Sequence, residues 1–365
     1  MPGHDRPGGR ARPRRPGGGA ARMAVTAAGL VARTRLAVLP TPLVATPRLA
    51  EALGTGPLYV KRDDLTGFAF GGNKARPLEF LLGAATADGA DTLVTGGAPG
   101  SNFCAAAAAA ALRAGLHCEL VIAGEPTPPG PALALALSWG ATVRWTGVPE
   151  RDSVDAVLPR IAAGLTARGR RPYLIPRGGA TGLGAVGYAL AAFELHKQLA
   201  DWGVGAARVV VAVGSGGTMA GLVAGNVLLG RPWTLVGGSA SRPPEAAAAR
   251  VLALARECSR LFAQAWPPGT CRTGPAPGPG GTGPGGTGPA DVVVADVRGP
   301  GHGLPSPEAT AVAEQAMRTE GLMVDPVYTA KALSLVPRQP GGGNVVFWHT
   351  GGLLDAVAAA GQAHR

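Results

Sequence analysis

Lysine is scarce in this chain. Its 365 residues include thirty arginines and only four lysines, and one of the four, Lys74, sits in a glycine turn, Gly71-Gly72-Asn73-Lys74, ahead of a helical pattern that starts at Ala75. Arginine would serve as well for a generic surface charge, but its guanidinium stays protonated and cannot form a Schiff base. Lys74 is therefore a candidate for covalent chemistry with a carbonyl group. Well downstream, the β-type run Val209-Val210-Val211-Ala212-Val213 feeds Gly214-Ser215-Gly216-Gly217-Thr218, and a helical stretch follows from Met219. A strand entering a glycine turn that opens a helix offers free backbone N–H groups and a positive dipole end, which together hold a phosphate. A nucleophilic lysine plus a phosphate cradle points to pyridoxal phosphate as cofactor.

The elements that must position these groups alternate regularly. The spacing predicts strands at 58–60, 92–95, 118–122, 141–145, 172–175, 208–213 and 233–238, with helices at 75–88, 102–114, 131–139, 151–168, 184–202 and 218–229. Beyond residue 290 it predicts a strand at 292–294, a helix at 307–320 capped by Ser306 with Pro307 in its first turn, and a strand at 344–347. Alternation at this spacing implies βαβ units and parallel sheets, an α/β fold whose ligand turns lie at the carboxyl ends of strands.

Composition limits the remaining function classes. The net charge is +11, of which residues 1–23, with six arginines and one acid, Asp5, supply +5. This Gly/Pro/Arg-rich tail lacks apolar periodicity and is expected to be disordered, a solvated extension rather than a nucleic-acid or membrane contact, with Met23 as an alternative start. Residues 267–290, with repeated Gly-Thr-Gly-Pro units, read as a low-complexity loop. No apolar run reaches the roughly 20 residues of a spanning helix, and no secretory signal is visible, so a soluble protein is expected. The four cysteines, Cys104, Cys118, Cys258 and Cys271, have no metal-ligand or disulfide-framework spacing, which favours a reducing, cytoplasmic setting and no metal.

Four segments converge in order: Lys61-Arg62-Asp63-Asp64 with Gly71 to Lys74; Ser101-Asn102; Gly214 to Thr218; and Asp325-Pro326-Val327-Tyr328-Thr329 with His349-Thr350-Gly351-Gly352. The chain in this respect resembles the family of D-cysteine desulfhydrases and 1-aminocyclopropane-1-carboxylate deaminases, over about residues 38–358. That resemblance implies the two-domain, parallel-sheet fold of the tryptophan synthase β-type (fold type II) pyridoxal phosphate enzymes. Residues 24–75 and 184–365 would form the large cofactor-binding domain, and 76–183 the small inserted one. It also implies a homodimer acting on a small amino acid.

The same resemblance assigns roles. Lys74 matches the cofactor-holding lysine and proton carrier, and Asn73 lies beside it. Asn102 matches the asparagine at the cofactor's phenolic oxygen, and Ser101 the serine beside the substrate carboxylate. Ser215, Gly216, Gly217 and Thr218 match the phosphate loop, and Tyr328 an active-site tyrosine. Thr329 matches a cofactor contact, and Thr350 and Gly351 lie with Phe103 on the substrate side. Without the motif context, Lys74 and Ser101 would read as helix-terminal residues and Tyr328 as a core tyrosine.

Threonine at both 329 and 350 resembles the desulfhydrases, whereas deaminases have glutamate and leucine there. A neutral residue near the pyridine nitrogen leaves the ring a weaker electron sink, sufficient for losing sulfide after α-proton removal. The expected reaction is therefore α,β-elimination of D-cysteine or a related β-substituted amino acid to a 2-oxo acid, ammonia and sulfide. The alternatives are deamination of the cyclic amino acid, β-replacement on a different amino acid, or a cofactor-binding protein without catalysis. Three departures from the family fall on the substrate side. They are Gly100 and Phe103 around Ser101-Asn102, His302 in place of a tyrosine in Gly299-Pro300-Gly301-His302-Gly303, and a short connection from Lys331 to the last strand. His302 could still carry a proton near neutral pH, or be a surface-loop histidine.

Overall fold

The computed structural model describes residues 32–265, 286–301, 303–337 and 342–363. The tail at 1–23, residues 267–285 of the low-complexity loop, and His302 lie outside the described residues. In chain order the elements are β1 (Leu43–Ala45), α1 (Pro47–Leu53), β2 (Leu58–Arg62), α2 (Ala75–Ala87), β3 (Thr92–Gly97), α3 (Asn102–Arg113), β4 (His117–Ile122) and α4 (Pro131–Ser138). There follow β5 (Thr142–Trp145), α5 (Ser153–Ala167), β6 (Pro172–Leu174), α6 (Gly182–Asp201), β7 (Ala207–Val213), α7 (Gly217–Leu228), β8 (Trp233–Ser239) and α8 (Pro244–Ala265). The chain continues through β9 (Val293–Asp296), α9 (Pro307–Glu320), α10 (Thr329–Leu333), β10 (Asn344–His349) and α11 (Leu353–Ala363).

The strands form two sheets. One has six strands in the order β1-β2-β10-β7-β8-β9, and the other four in the order β5-β4-β3-β6. Every pairing is parallel except that of β1 with β2. Parallel sheets are covered on both faces, and the unbroken apolar run of β7 is buried accordingly. The α/β expectation therefore holds, and the glycine turns emerge from the carboxyl ends of strands.

Four helices, α1, α8, α10 and α11, have no counterpart in the sequence reading, and two of them show why. The longer, α8, buries Ala247, Val251, Leu254, Ala255, Cys258 and Phe262, a helical spacing that was present in the sequence but diluted by alanines and arginines. The shorter, α1, starts at Pro47 and ends at Gly54 in the left-handed region, φ 64. Residues 286–290, assigned to the loop from sequence, are tied down: the Thr287 carbonyl accepts from Arg256 at 3.1 Å, and the Gly288 N–H donates to Asp291 at 2.8 Å.

The alanine and glycine bias has a packing consequence. Ala105 to Ala111 of α3 are buried throughout, and α6 packs against α7, α2 and α8. A Cβ on Gly221 of α7 would lie 2.2 Å from the Ala185 carbonyl oxygen of α6. Small residues thus let these helices approach more closely than larger side chains would permit.

Beneath the lysine turn lies a buried ionic network. Arg76 donates to both oxygens of Asp63 at 2.9 Å and to Glu194 at 2.9 and 3.0 Å. Asp63 also accepts from the Tyr188 hydroxyl at 2.7 Å, the Trp348 indole at 3.0 Å and Thr41 at 2.7 Å. Lys61 fills the adjoining space, donating to Glu194, to the Thr41 carbonyl at 2.6 Å and to Gln198 at 2.8 Å. Burial alone would raise the Asp63 carboxyl, but Arg76, Lys61 and the Thr41 hydroxyl outweigh it and hold the group at about 2.

Candidate active site

Turns from both sheets meet around a cavity of about 400 Å³. The lysine turn is shaped by Gly71, whose φ of 80° and whose would-be Cβ, 2.1 Å from the Asp64 carbonyl oxygen, admit no other residue without movement. The turn is held by Gly72 N–H donating to the Asp63 carbonyl at 3.1 Å and Asn73 N–H to the Thr350 carbonyl at 2.8 Å. The Asn73 side-chain amide donates to Thr218 Oγ1 at 2.9 Å. Asn73 thus ties the lysine turn both to the end of β10 and to the turn that opens α7.

Lys74 immediately precedes α2 and lines the cavity. Desolvation pulls its ammonium down to about 8, while the charge of Asp325 opposes the shift. Half of such amines are neutral and nucleophilic near pH 8, against well under one per cent of ordinary lysines with a pKa of about 10.4. The rate at which apoprotein takes up pyridoxal phosphate, followed by near-visible absorbance, is therefore expected to rise through an apparent pKa close to 8. A rise centred above pH 10 would contradict the desolvated amine.

The turn after β7 has the form expected of a phosphate site. Gly216 takes φ 95° and α7 starts at Gly217, so the first-turn N–H groups have no intrahelical acceptors. Arg242 supports the turn by donating to the Gly214 carbonyl at 2.9 Å, and Arg250 by donating to the Ser215 carbonyl at 3.2 Å. The side-chain oxygen of Thr218 accepts from Asn73, which leaves its proton for an anion.

At the start of α3, Ser101 caps the helix by accepting from Cys104 N–H at 3.3 Å; its own hydroxyl proton is not used by that bond. Asn102 donates from Nδ2 to Asp355 of α11 at 2.9 Å, while its Oδ1 is buried without a partner. Burial raises the Asp355 carboxyl despite this bond. Tyr328 packs beside Gly214, whose would-be Cβ lies 3.0 Å from the ring, and its hydroxyl interacts with Arg151. Thr350 and Gly351 also line the cavity.

Of two further residues expected at the ligand, one is placed differently. Thr329 is 1% exposed and does not line the cavity. Its hydroxyl donates to Asp325 Oδ2 and accepts from the Asp325 N–H at 2.6 Å. The cavity wall carries Asp325 instead, so the sequence argument that only a neutral side chain stands there is corrected. Phe103 is 2% exposed and packs against Gly179, with two ring carbons 2.5 and 2.7 Å from its would-be Cβ. It nevertheless lines the cavity, as an apolar wall residue.

Asp325 was missed by sequence reasoning, although it carries an Asx-turn signature: its Oδ1 accepts from the N–H groups of Val327 at 2.9 Å and Tyr328 at 2.7 Å. Its Oδ2 accepts from Thr329 N–H at 3.0 Å and from the Thr329 hydroxyl. Burial raises this carboxyl against the pull of those hydrogen bonds. The double glycine after β10 accommodates it, since a Cβ on Gly352 would stand 2.3 Å from Asp325 Oδ2. Asp355 and the arginines at 151, 177, 242 and 250 were also missed, because they reach the cavity from separate segments with no local motif.

A desolvated lysine amine, a helix N-terminus with bare glycines and an unpartnered buried amide oxygen on Asn102 fit a phosphorylated aldehyde with a further polar ring substituent. Comparisons with known proteins agree with this chemistry. The model of a family described as pyridoxal-phosphate dependent enzyme matches residues 34–351. A Salmonella choleraesuis D-cysteine desulfhydrase is 36% identical over 333 residues, 88% of this chain and 94% of its own. A Pyrococcus abyssi protein named as a 1-aminocyclopropane-1-carboxylate deaminase is 35% identical over 325 residues, 87% of this chain and 92% of its own. The solved structure of an ACC deaminase homologue superimposes with a TM-score of 0.77 at 30% identity, covering 91% of this chain and 95% of that one.

Proposed function

Because this chain belongs to the family of pyridoxal-phosphate dependent enzymes and has their fold type II architecture, we propose that it is a lyase catalysing α,β-elimination. The substrate is D-cysteine or a related β-substituted amino acid, and the products are a 2-oxo acid, ammonia and the leaving group. The bound cofactor supplies an electron sink that acidifies the substrate Cα–H. In this reading Lys74 holds the cofactor and then, as a free amine, takes the α-proton. Asn102 anchors the ring's polar substituent, Ser101 donates to the substrate carboxylate, and the Ser215 to Thr218 turn holds the phosphate. Tyr328 stands where it could pass a proton to the leaving group. The geometry gives no comparable task to Thr329.

One observation favours elimination of a good leaving group over the harder ring opening. Asp325 lies on the cavity wall, but its four acceptor positions are filled by the turn at 327–329. A carboxylate saturated in this way has little capacity to hold a proton on the ring nitrogen, and a weak sink suffices for sulfide. The desulfhydrase reading thus rests on saturation of Asp325 rather than on the neutrality of Thr329.

Assays of sulfide and pyruvate from D-cysteine, against 2-oxobutanoate and ammonia from 1-aminocyclopropane-1-carboxylate, test the choice. Sulfide and pyruvate are the expected products; turnover of the cyclic amino acid alone would transfer the assignment to the deaminases, the reading favoured by the superimposable ACC deaminase homologue. Cofactor binding with no turnover of either would favour a silent binding protein. The proposal extends to a cytoplasmic homodimer in which the four-stranded sheet and its helices form a small domain within residues 76–183. Its cytoplasmic part is supported by Cys104, Cys118 and Cys258, all buried free thiols.

A further inference from the structure

Four arginines line the catalytic cleft, and their contacts divide them by task. Arg177 is neutralised, since it bonds Asp152 at 2.6 Å and Asp155 at 2.6 and 2.8 Å. Arg242 and Arg250 spend donors on the carbonyls of Gly214, Ser215 and Ala180, so their charges stand behind the phosphate turn. Arg151 is different. It lies in the turn before α5, and its guanidinium reaches the Tyr328 hydroxyl. Its Nε is buried with no hydrogen-bond partner, and among the described residues no carboxylate forms a salt bridge with it.

Three acids of the α5 turn and the cavity wall are engaged elsewhere. Asp152 and Asp155 are both engaged by Arg177, and Asp355 is engaged by Asn102. The mutual repulsion among Arg151, Arg177, Arg242 and Arg250 is felt at Arg242, which desolvation and then these neighbours push below the ordinary arginine value. A buried N–H donor left without a partner, as the Arg151 Nε is, costs stability unless a ligand completes it. Guanidinium groups complete themselves best with carboxylate, sulfonate or phosphate oxygens. A ligand anion on Arg151 would lie beside the Tyr328 hydroxyl, whereas the α-carboxylate is assigned to Ser101 in the proposed function.

We propose that Arg151 selects amino acids whose β-substituent carries a negative charge, such as an O-phospho or S-sulfo group. This rests on the lyase reading above and names its substrate class. The reaction balances without an oxidant or reductant. The α-proton passes to Lys74, and the Cβ–X bond breaks with its electron pair leaving on the anionic X. A proton returns to the methyl carbon, and one water releases the three-carbon fragment as pyruvate and ammonia.

The test compares O-phosphoserine and S-sulfocysteine with β-chloroalanine, each as both enantiomers, on cofactor-loaded wild type, Arg151→Gln and Arg151→Lys. The readouts are kcat/KM and the dissociation constant from the near-visible spectral change. The wild type is expected to prefer the anionic substrates. Arg151→Gln should lower the anionic-to-neutral ratio of kcat/KM about 100-fold, through KM and dissociation constant, with Arg151→Lys recovering about tenfold of it. An equal loss on all substrates would overturn the proposal, because Arg151 would then hold the α-carboxylate or only support Tyr328. A wild type that prefers the neutral substrate would overturn it as well. Should no substrate be consumed, the lyase reading fails, and the dissociation constants still decide whether Arg151 recognises the second anion.

Discussion

Lys74→Ala is expected to remove the near-visible absorbance of lysine-bound cofactor and to lower turnover by about 10³-fold or more. The expectation comes from the amine itself. Desolvation brings it to about 8, and no other described lysine lines the cavity to replace it. Lys74→Arg is the sharper control: it preserves a positive charge but not a nucleophile, so it should lose the band just as completely. Mass analysis after borohydride reduction of the wild type should find the cofactor on the peptide that contains Lys74. A retained band and unchanged turnover in Lys74→Ala would remove the assignment.

Asp63→Asn should lower stability by about 3–5 kcal/mol in denaturant unfolding. Asp63 is fully buried and accepts from Arg76, Tyr188, Trp348 and Thr41. Asparagine has nearly the same shape but leaves the Arg76 charge without its buried partner. The pH dependence has a definite sign. The Asp63 carboxyl is held at about 2 in the folded protein, below its unfolded value of about 3.9. The folded state therefore binds fewer protons between these values. The stabilisation is fully present above about pH 4 and is lost as pH falls toward 2. Asp63→Asn should accordingly flatten the acid limb of the stability curve, and a loss smaller than about 1 kcal/mol would show that the network is dispensable. Because the Asp63 carbonyl also receives the Gly72 N–H, the variant should loosen the lysine turn too.

Much of the site was legible because its signals are local. The glycine turn before Lys74 and the strand, glycine turn and helix sequence around Ser215 each occupy a few consecutive residues, and both lie where the sequence predicted. The scarcity of lysine was a less selective clue than it looked. Lys61 and Lys331 are also buried, and the reason is steric: compact ammonium groups donate to Thr41, Glu194 and Gln198 in one case, and to the Arg298 and Gly301 carbonyls at 2.7 and 2.8 Å in the other. The planar guanidinium fork matches neither set of acceptors. It was the glycine turn, not rarity, that distinguished Lys74.

What could not be read depends on side-chain direction and on distant partners. Thr329 and Asp325 lie four positions apart in one segment, and only the fold of the turn decides which faces the ligand. The helix α8 was obscured by its alanines. Arg151 has no motif of its own, and its importance follows from acids elsewhere being engaged by Arg177 and Asn102.

The strand order has a bearing on how this enzyme is made. β10 is hydrogen-bonded between β2 and β7, and the Thr350 carbonyl just beyond it receives the Asn73 N–H. During synthesis, β2 and the lysine turn emerge well before β10, the strand that fills the gap beside them. Until it inserts, β2 and β7 keep unpaired edges, which are the aggregation-prone features of incomplete sheets. The turn holding Lys74 therefore gains its final geometry only once β10 has been made and has inserted between β2 and β7.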